Sequence, residues 1–190
     1  KVSQDVMAVA DDPEVDIVVE LIGGTTVARD LVTQAIQAGK HVVTANKALI
    51  AEFGNELIAL AEQAQVALRF EAAVAGGIPV IKVLRESLAA NVVSGVAGII
   101  NGTGNFILTE MANAGRSFDD VLAEAQALGY AEADPTFDID GTDAAHKLVI
   151  LASIAFGIPL DANAPIMEGI DTVTPEDLNF AKELGFCVKH

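Results

Sequence analysis

The 190-residue sequence is short of the residues that mark several common classes of protein. Its single cysteine, Cys187, excludes a disulfide within the chain and fits a reducing compartment. Its Cys and His residues do not have the spacing of a zinc site. The longest apolar run, at residues 148–160, contains Ser, Gly and Pro and is shorter than the roughly 20 residues that cross a bilayer. With no recognisable signal peptide either, the sequence predicts a cytoplasmic protein.

Positive charge is also scarce. Eleven Lys and Arg residues stand against 27 Asp and Glu residues, which gives a formal net charge of −16. This charge opposes long-range attraction to nucleic acids and to anionic membranes, whereas small-molecule ligands remain compatible with it. The apolar fraction of 52% is high for a monomer of this length. It predicts buried interfaces in a homo-oligomer.

A third absence concerns glycine. The dinucleotide fingerprint G-x-G-x-x-G is missing, because the only G-x-G is Gly102-Thr103-Gly104 and the third residue beyond it is Ile107. The chain also begins at Lys1 and not at a methionine. If the first part of the chain is a dinucleotide-binding domain, we expect its first strand and phosphate loop to lie before Lys1.

What the sequence does contain begins with alternating strand-like and helix-like segments. Three apolar runs are typical of buried strands, at residues 16–22, 41–45 and 66–74. Helical patterns lie between them, at residues 27–38 and 55–65. Short links between such segments indicate a parallel sheet with both faces covered. The predicted fold class is therefore α/β, with a partial, Rossmann-like parallel sheet in residues 1–74.

The pattern changes after residue 74, where Ala-Gly-Gly-Ile-Pro interrupts the alternation. We predict a domain boundary here and an α+β domain in residues 75–190. Its predicted strands are residues 92–101 and 165–170. Its predicted helices are residues 80–88, 106–114, 118–128, 144–156 and 175–184.

Two loops follow predicted strands at the edge where parallel sheets bind ligands. Gly23, Gly24 and Thr25 let a ligand approach bare backbone and direct a helix N-terminus toward it. At the next strand end, Asn46 leads to Lys47, which supplies a cation. Together these loops favour an anionic, nucleotide-like ligand. Alternatively, they are turn glycines and a surface lysine.

The most distinctive stretch is the acidic segment of residues 129–147. Five carboxylates lie in a loop with a Pro and a Gly, namely Glu132, Asp134, Asp138, Asp140 and Asp143. A very apolar helix follows, predicted to be buried nearly all round, and it places Asp143 and Lys147 one turn apart on one face. A Lys and an Asp at the mouth of such a helix are typical of an acid/base group. The neighbouring His146 is predicted to be a core or boundary histidine.

The chemistry of this segment suits an alkoxide-forming reaction. A protonated Lys147 can give its proton to a developing alkoxide, and the acidic loop can hold a cationic group on a substrate. The loop at residues 101–105 lets a ligand carboxylate meet backbone N–H groups at a helix start. The alternatives are a solvated loop, an ordinary i,i+4 pair worth a few tenths of a kcal/mol, and a strand-to-helix turn.

With these pieces in place, the chain resembles the homoserine dehydrogenase family. The family signature is met by Ala125, Gly129, Tyr130, Ala131, Asp134, Pro135, Asp138, Ile139, Gly141, Asp143 and Lys147. Residues 20–24, 44–47, 71–79 and 101–105 also resemble family segments, in the family order. The resemblance implies NAD(P)-dependent interconversion of L-aspartate 4-semialdehyde and L-homoserine, in threonine, methionine and isoleucine biosynthesis.

The resemblance also implies roles for individual residues. Lys147 donates the proton to the aldehyde oxygen, Asp143 orients Lys147, and Lys47 lies between cofactor and substrate. Glu132 binds the substrate ammonium with help from Asp138. Three further residues line the amino-acid pocket: Tyr130, Gly102 and Thr103.

For the cofactor, the resemblance implies either NADP or NAD, facing Gly23, Gly24, Thr25, Asn46 and Lys47. A monovalent cation, Na⁺ or K⁺, is implied on the backbone carbonyls of Glu71, Val74, Gly76 and Ile78. On this basis residues 1–74 are the C-terminal part of a dinucleotide-binding domain, and residues 75–190 are a substrate-binding, catalytic and dimerisation domain.

Two departures from the family pattern stand out. The glycine-rich phosphate loop is missing, and Gly104 stands where Thr or Ser is common. The missing loop favours one alternative, a non-catalytic amino-acid-binding and dimerising fragment. Another alternative is a different amino-acid dehydrogenase on the same scaffold, for which Glu132 and Asp138 are the discriminating pair.

Overall fold

The computed structural model describes residues 2–190, so that Lys1 of the predicted first domain lies outside it. A three-stranded parallel sheet is built from β1 (Ile17–Glu20), β2 (His41–Thr44) and β3 (Leu68–Arg69), in the order β1-β2-β3. The predicted α/β class and the parallel arrangement are confirmed.

Nine helices accompany the sheet in residues 2–190. They are α1 (Ala8–Asp11), α2 (Val27–Gln37), α3 (Lys47–Gln63), α4 (Val80–Lys82), α5 (Gly102–Ala114), α6 (Phe118–Ala127), α7 (Thr136–Ile139), α8 (Thr142–Phe156) and α9 (Pro175–Glu183). A 3₁₀ turn (Glu71–Ala73) follows β3, and a π-helical turn (Val83–Ser87) continues α4. None of these helices combines the length and hydropathy that a membrane crossing requires.

The sheet positions the ends of its first two strands together. In β1, Val18 and Glu20 are buried whereas Ile17 and Val19 are exposed, which is the two-residue alternation of a strand. Glu20 pairs in register with Thr44, the last residue of β2. Because the strands are parallel, the loops that follow Glu20 and Thr44 leave the same edge of the sheet.

Several helix boundaries depend on capping that the apolar pattern does not reveal. Helix α3 begins at Lys47, eight residues before the predicted start, because the Asn46 side chain accepts a hydrogen bond from the Leu49 amide. Helix α5 likewise begins at Gly102, after its cap Asn101. The predicted caps Ser117 and Thr174 are confirmed.

Two predicted strands are wrong. Residues 92–101 and 165–170 form no strand, and no strand follows β3 in the described part of the chain. Apolar residues at 92–101 have the composition of a strand, but a strand also needs a hydrogen-bonding neighbour. The predicted α+β domain is therefore helical here, and β3 is shorter than the predicted residues 66–74.

Helix α8 is less buried than predicted. Val149, Ile150 and Leu151 belong to a hydrophobic core, and His146 is buried as predicted. Leu148 and Phe156 are 41% and 44% exposed, so the helix is not enclosed all round. Its apolar composition concealed an ordinary division into a packed face and an exposed one.

The chain packs as two compact units, each with its own core. The first extends to Val96 and includes His146–Ala164, and the second consists of Ala97–Ala145 and Pro165–His190. Helix α8 thus begins in the second unit and continues into the first. Packing divides the chain differently from the sequence pattern, and the predicted domains of residues 1–74 and 75–190 remain a prediction.

Candidate functional site

In the first unit, a buried carboxylate organises the strand-end loops. Glu20 is 0% exposed, and its Oε1 accepts hydrogen bonds from the backbone amides of Ile22 (2.7 Å) and Gly23 (3.1 Å). Its Oε2 accepts the hydroxyl of Thr44 at 2.5 Å. All three groups donate to the Glu20 carboxylate, so the burial of this polar side chain is compensated by hydrogen bonds.

The second strand end is tied to the first through Asn46. The Asn46 amide donates to the hydroxyl of Thr44 at 2.9 Å, and its side-chain Nδ2 donates to the backbone carbonyl of Gly24 at 2.6 Å. Its Oδ1 caps helix α3. The structure therefore brings the predicted residues Gly23, Gly24 and Asn46 together.

The glycine loop leaves its backbone accessible. Gly23 and Gly24 have φ values of +81° and +70°, and a Cβ added at either would meet no atom within 4 Å among the described residues. Backbone conformation, and not crowding, therefore accounts for glycine at both positions. Thr25 follows, and α2 begins two residues later without a capping bond from the Thr26 side chain in the described structure. This is the geometry of an anion-accepting loop before a helix.

Both candidate lysines lie on helices, at different distances from the helix start. Lys47 is the first residue of α3 and is half-buried. Lys147 is half-buried on α8, one turn after Asp143, in the part of that helix that belongs to the first unit. Lys47 directly follows the buried residue Asn46, and Lys147 lies four residues after the buried residue Asp143.

In the second unit, Asn101 joins two of the predicted carboxylates. Its Nδ2 donates to Asp138 Oδ1 at 3.0 Å and to Asp143 Oδ2 at 2.9 Å. Asn101 and Asp143 are only 4% and 6% exposed, whereas Asp138 on α7 is half-buried. The predicted acidic loop is thus interrupted by one helical turn, which presents Asp138 to the start of α8.

The first residues of α5, which follow Asn101, contact the segment that contains Tyr130. Thr103 donates its hydroxyl to the backbone carbonyl of Tyr130 at 2.7 Å. The Tyr130 ring is 57% exposed and packs edge-on against Phe106, with 5.1 Å between ring centroids. The predicted pocket residues Gly102, Thr103 and Tyr130 are therefore neighbours, and the Tyr130 ring presents an accessible face.

Glycine at 104 has a steric reason. A Cβ added there would lie 2.5 Å from Nδ1 of His190 and 3.1 Å from Oδ1 of Asn101. The Gly104 amide also donates to Asn101 Oδ1 at 2.6 Å. A larger residue would require both neighbours to move.

Glu132 is held through its backbone. Its carbonyl accepts a hydrogen bond from the Gln126 side chain at 3.1 Å, and Glu132 itself is exposed.

Asp134 lies two residues after Glu132 and accepts hydrogen bonds from Thr136. The Thr136 hydroxyl, and to a smaller extent the Thr136 amide, lower the pKa of the Asp134 carboxyl below its ordinary value. Asp134 is thereby committed to the turn that starts α7.

The proposed cation segment forms a tight turn. The carbonyls of Glu71 and Ile78 accept backbone hydrogen bonds from Val74 and Val80, at 3.5 and 2.8 Å. The Glu71 carboxylate is occupied at the start of α4, where it accepts from the amides of Ile81 and Lys82. Within residues 2–190, no group of three His, Cys, Asp or Glu side chains is placed to hold a metal ion.

Sequence reasoning missed two residues that organise these regions, Glu20 and Asn101. A carboxylate within an apolar run that is predicted to be a buried strand needs polar partners, and Glu20 in residues 16–22 fits that pattern. An Asn immediately before a helix is a capping signal, and Asn101 fits that. Neither signal identifies the partners, because Thr44, Asp138 and Asp143 are distant in sequence.

Comparison with known proteins relates the whole chain to one family. Residues 79–190 match the family described as homoserine dehydrogenase, and residues 1–71 match the homoserine dehydrogenase NAD-binding domain. A homoserine dehydrogenase from Pseudomonas aeruginosa is 64% identical over 189 residues, covering 100% of this chain and 44% of that protein.

Solved structures give the same result. The crystal structure of a homoserine dehydrogenase from Thiobacillus denitrificans has 62% identity and a TM-score of 0.97, covering 98% of this chain and 43% of that one. A hyperthermophilic archaeal homoserine dehydrogenase in complex with NADPH has 32% identity and a TM-score of 0.80, covering 90% of this chain and 53% of that one.

The chain spans less than half the length of the curated relatives it matches, with 44% of the Pseudomonas aeruginosa protein and 40% of one from Neisseria gonorrhoeae. These matches do not favour the alternatives of a non-catalytic binding fragment or a different amino-acid dehydrogenase. Both family matches, which together reach from residue 1 to residue 190, carry the same family name. The chain belongs to the homoserine dehydrogenase family.

Proposed function

We propose that this chain carries the catalytic residues of an NAD(P)-dependent homoserine dehydrogenase, which interconverts L-aspartate 4-semialdehyde and L-homoserine in amino-acid biosynthesis. The observation that carries the proposal is the hydrogen-bonded group of Asn101, Asp138 and Asp143 at the start of α8, one turn before Lys147. Carboxylates fixed beside a helix that also presents an amine are suited to proton transfer.

Reduction of the aldehyde requires one hydride and one proton. When bound, NAD(P)H supplies the hydride to the carbonyl carbon, and the carbonyl oxygen takes up negative charge. The Lys147 ammonium stabilises that charge and donates the proton, which yields the primary alcohol of homoserine. In the reverse direction the neutral amine accepts the proton. Asp143 orients the amine.

The substrate's ammonium group needs negative charge around it. Glu132 and Asp138 supply this charge, while the Tyr130 ring, Gly102 and Thr103 line the rest of the amino-acid pocket. Support comes from the bond of Thr103 to the Tyr130 carbonyl, which holds two elements of this lining together. A substrate lacking the ammonium group would leave these carboxylates without a counter-charge.

The cofactor fits the strand-end loops of the first unit. Gly23, Gly24 and Thr25 offer open backbone before α2, and Asn46 holds the Gly24 carbonyl in place. Lys47, the first residue of α3, adds positive charge to this region. The relative solved in complex with NADPH supports a dinucleotide as ligand of this region.

A monovalent cation is part of the proposal. The backbone carbonyls of Glu71, Val74, Gly76 and Ile78 would hold Na⁺ or K⁺, since each of the carbonyls already engaged by an amide retains a second lone pair. The cation would stabilise the turn after β3. If thermal unfolding temperatures are equal in NaCl, KCl and tetramethylammonium chloride of the same ionic strength, this part is wrong.

A cytoplasmic homodimer is the form we expect. The single cysteine supports a reducing compartment. Exposed apolar side chains, among them Phe180, Leu184 and Phe186, support an interface with a second copy. Light scattering coupled to gel filtration measures the mass directly, and a monomer at micromolar concentration would contradict the dimer.

The test of substrate recognition is calorimetric titration of the chain with L-homoserine, with and without NADP. Replacement of Glu132 by Gln removes the counter-charge and should weaken homoserine binding at least about tenfold. Lys147→Ala should change the dissociation constant for homoserine by no more than a few-fold. If the wild type oxidises NADPH with L-aspartate 4-semialdehyde, Lys147→Ala should abolish that activity.

The matched control is Glu183→Gln, which removes an exposed carboxylate at the end of α9 in the same unit as Glu132. It should bind L-homoserine like the wild type. Equal weakening by both variants would mean that net charge alone governs binding. No effect of Glu132→Gln would remove Glu132 from the site.

A further inference from the structure

The side-chain amide of Asn101 lies between two carboxylates that belong to different elements. Its nitrogen is 3.0 Å from Asp138 Oδ1, on α7, and 2.9 Å from Asp143 Oδ2, on α8. Its oxygen accepts the Gly104 amide at 2.6 Å. Asn101 is almost fully buried, so water does not replace these partners easily.

The orientation of this amide is determined by its partners. A backbone N–H can only donate, so the Asn101 oxygen must face Gly104 and the nitrogen must face the two carboxylates. Both amide hydrogens are then used, one for each carboxylate. Rotating the amide by 180° would set an oxygen against two carboxylate oxygens, which is repulsive.

One donor group serves both carboxylates. Oxygens of Asp138 and Asp143 approach the same Asn101 nitrogen, so the position of that nitrogen restrains both carboxylates. The helix-capping bond to Gly104 fixes where the nitrogen stands. The cap of α5 therefore also sets the positions of the two charges.

We propose that Asn101 is a positioning residue, which holds Asp138 and Asp143 in a single arrangement and thereby controls substrate binding through Asp138 and the proton-donating Lys147 through Asp143. The inference rests on the proposed function for the roles of those carboxylates. The arrangement itself follows from the three side-chain hydrogen bonds of Asn101 and is tested separately from those roles.

The decisive variant is Asn101→Ser. A serine oxygen still caps a helix well, so the bond to Gly104 is retained, while the two amide N–H donors are lost and the single hydroxyl hydrogen of serine cannot serve both carboxylates. The control is Ser117→Ala, which removes the cap of α6 in the same unit and touches neither carboxylate. It reports the effect of a lost helix cap without any change in the carboxylates.

Two measurements are made on each variant of the chain. Calorimetry gives the dissociation constant for L-homoserine, and carbon-detected NMR without ligand gives the side-chain carboxyl signals of Asp138 and Asp143. Asn101→Ser should weaken homoserine binding about tenfold and shift both carboxyl signals. Ser117→Ala should leave both readouts within the error of the wild type, although it lowers the unfolding temperature.

The outcomes separate the inference from the proposed function. If the wild type does not bind L-homoserine, the proposed substrate recognition fails for this chain, and the NMR result alone decides the positioning role. Asn101 is not a positioning residue if Asn101→Ser leaves either carboxyl signal unchanged. The same conclusion follows if the wild type binds L-homoserine and Asn101→Ser binds it equally well.

Discussion

Two buried hydrogen-bonding residues, Glu20 in the first unit and Asn101 in the second, solve opposite problems. Glu20 is a charged acceptor that gathers donors, namely two backbone amides and the Thr44 hydroxyl. Asn101 is a neutral group whose amide donates to two charged acceptors, Asp138 and Asp143. Each ties together segments that are more than 20 residues apart along the chain.

The difference between them follows from what each region has to present. Around Glu20 the groups held in place are backbone amides and a loop, so the available surface is main chain beside Gly23 and Gly24. Around Asn101 the groups held in place are side-chain charges. A loop that presents its backbone to a ligand is held by a buried carboxylate that accepts hydrogen bonds from the loop amides. Two neighbouring carboxylates are instead held by a donor that they share.

The largest effect is expected from removing the Glu20 carboxylate. Glu20→Ala leaves two amides and a hydroxyl without their acceptor in a buried position, and should lower the free energy of unfolding by about 4 kcal/mol. Glu20→Gln, the control, keeps one acceptor oxygen and should cost about half as much. Urea denaturation measures both. Equal stability of all three proteins would mean that water replaces the carboxylate and that Glu20 does not organise the loops.

A smaller loss of stability is expected from adding a carboxylate at Asn101, which is the opposite of the change at Glu20. Asn101→Asp keeps the cap oxygen but sets a third negative charge against Asp138 and Asp143, and should cost about 3 kcal/mol at neutral pH. Urea denaturation at neutral pH tests this, with Asn101→Ser as the uncharged comparison. An equal loss of stability in the two variants would mean that charge is not the reason for an amide at this position.

The smallest effect is expected at an exposed hydrogen-bonded pair. At the start of α9 the hydroxyl and then the amide of Thr174 lower the pKa of the Asp177 carboxyl below its ordinary value of 3.8. Thr174→Ala removes the helix cap and should cost about 1 kcal/mol at neutral pH.

The pH dependence of this pair has a definite sign. Because the folded-state pKa is lowered, the charged carboxylate contributes stability above pH 3.8, and the contribution is lost as the pH falls through the folded pKa. The stability difference between wild type and Thr174→Ala should therefore shrink in acid. A difference that grows in acid would contradict the assignment of this stability to the charged Asp177 carboxylate. It would also mean that burial does not indicate which hydrogen bonds contribute most to stability.

Much of the fold was predictable because it depends on local pattern. The continuous apolar runs identified β1 and β2, and the capping residues Ser117 and Thr174 identified the starts of α6 and α9. The same kind of pattern wrongly predicted a strand at residues 92–101. Their apolar character describes what a strand is made of, whereas strand formation depends on a neighbour that the segment itself does not supply.

The candidate site divides in the same way. Spacing on a helix placed Asp143 one turn before Lys147, and turn chemistry identified the loop of Gly23 and Gly24, because both are properties of a few consecutive residues. The roles of those residues remain proposals. The joining of Asp138 to Asp143 through Asn101 could not be read from spacing, because the three residues meet only when α5, α7 and α8 pack.

The sequence by itself determined the α/β class, the order of its early elements, the starts of α2, α4, α6 and α9, and the family to which the chain is similar. Each of these depends on periodicity, capping or a motif over a short stretch of chain. Only the tertiary structure decided that Glu20 and Asn101 are the buried residues on which the loops and charges depend. The energy of a buried polar group is set by the partners that surround it, and those partners come from elsewhere in the chain.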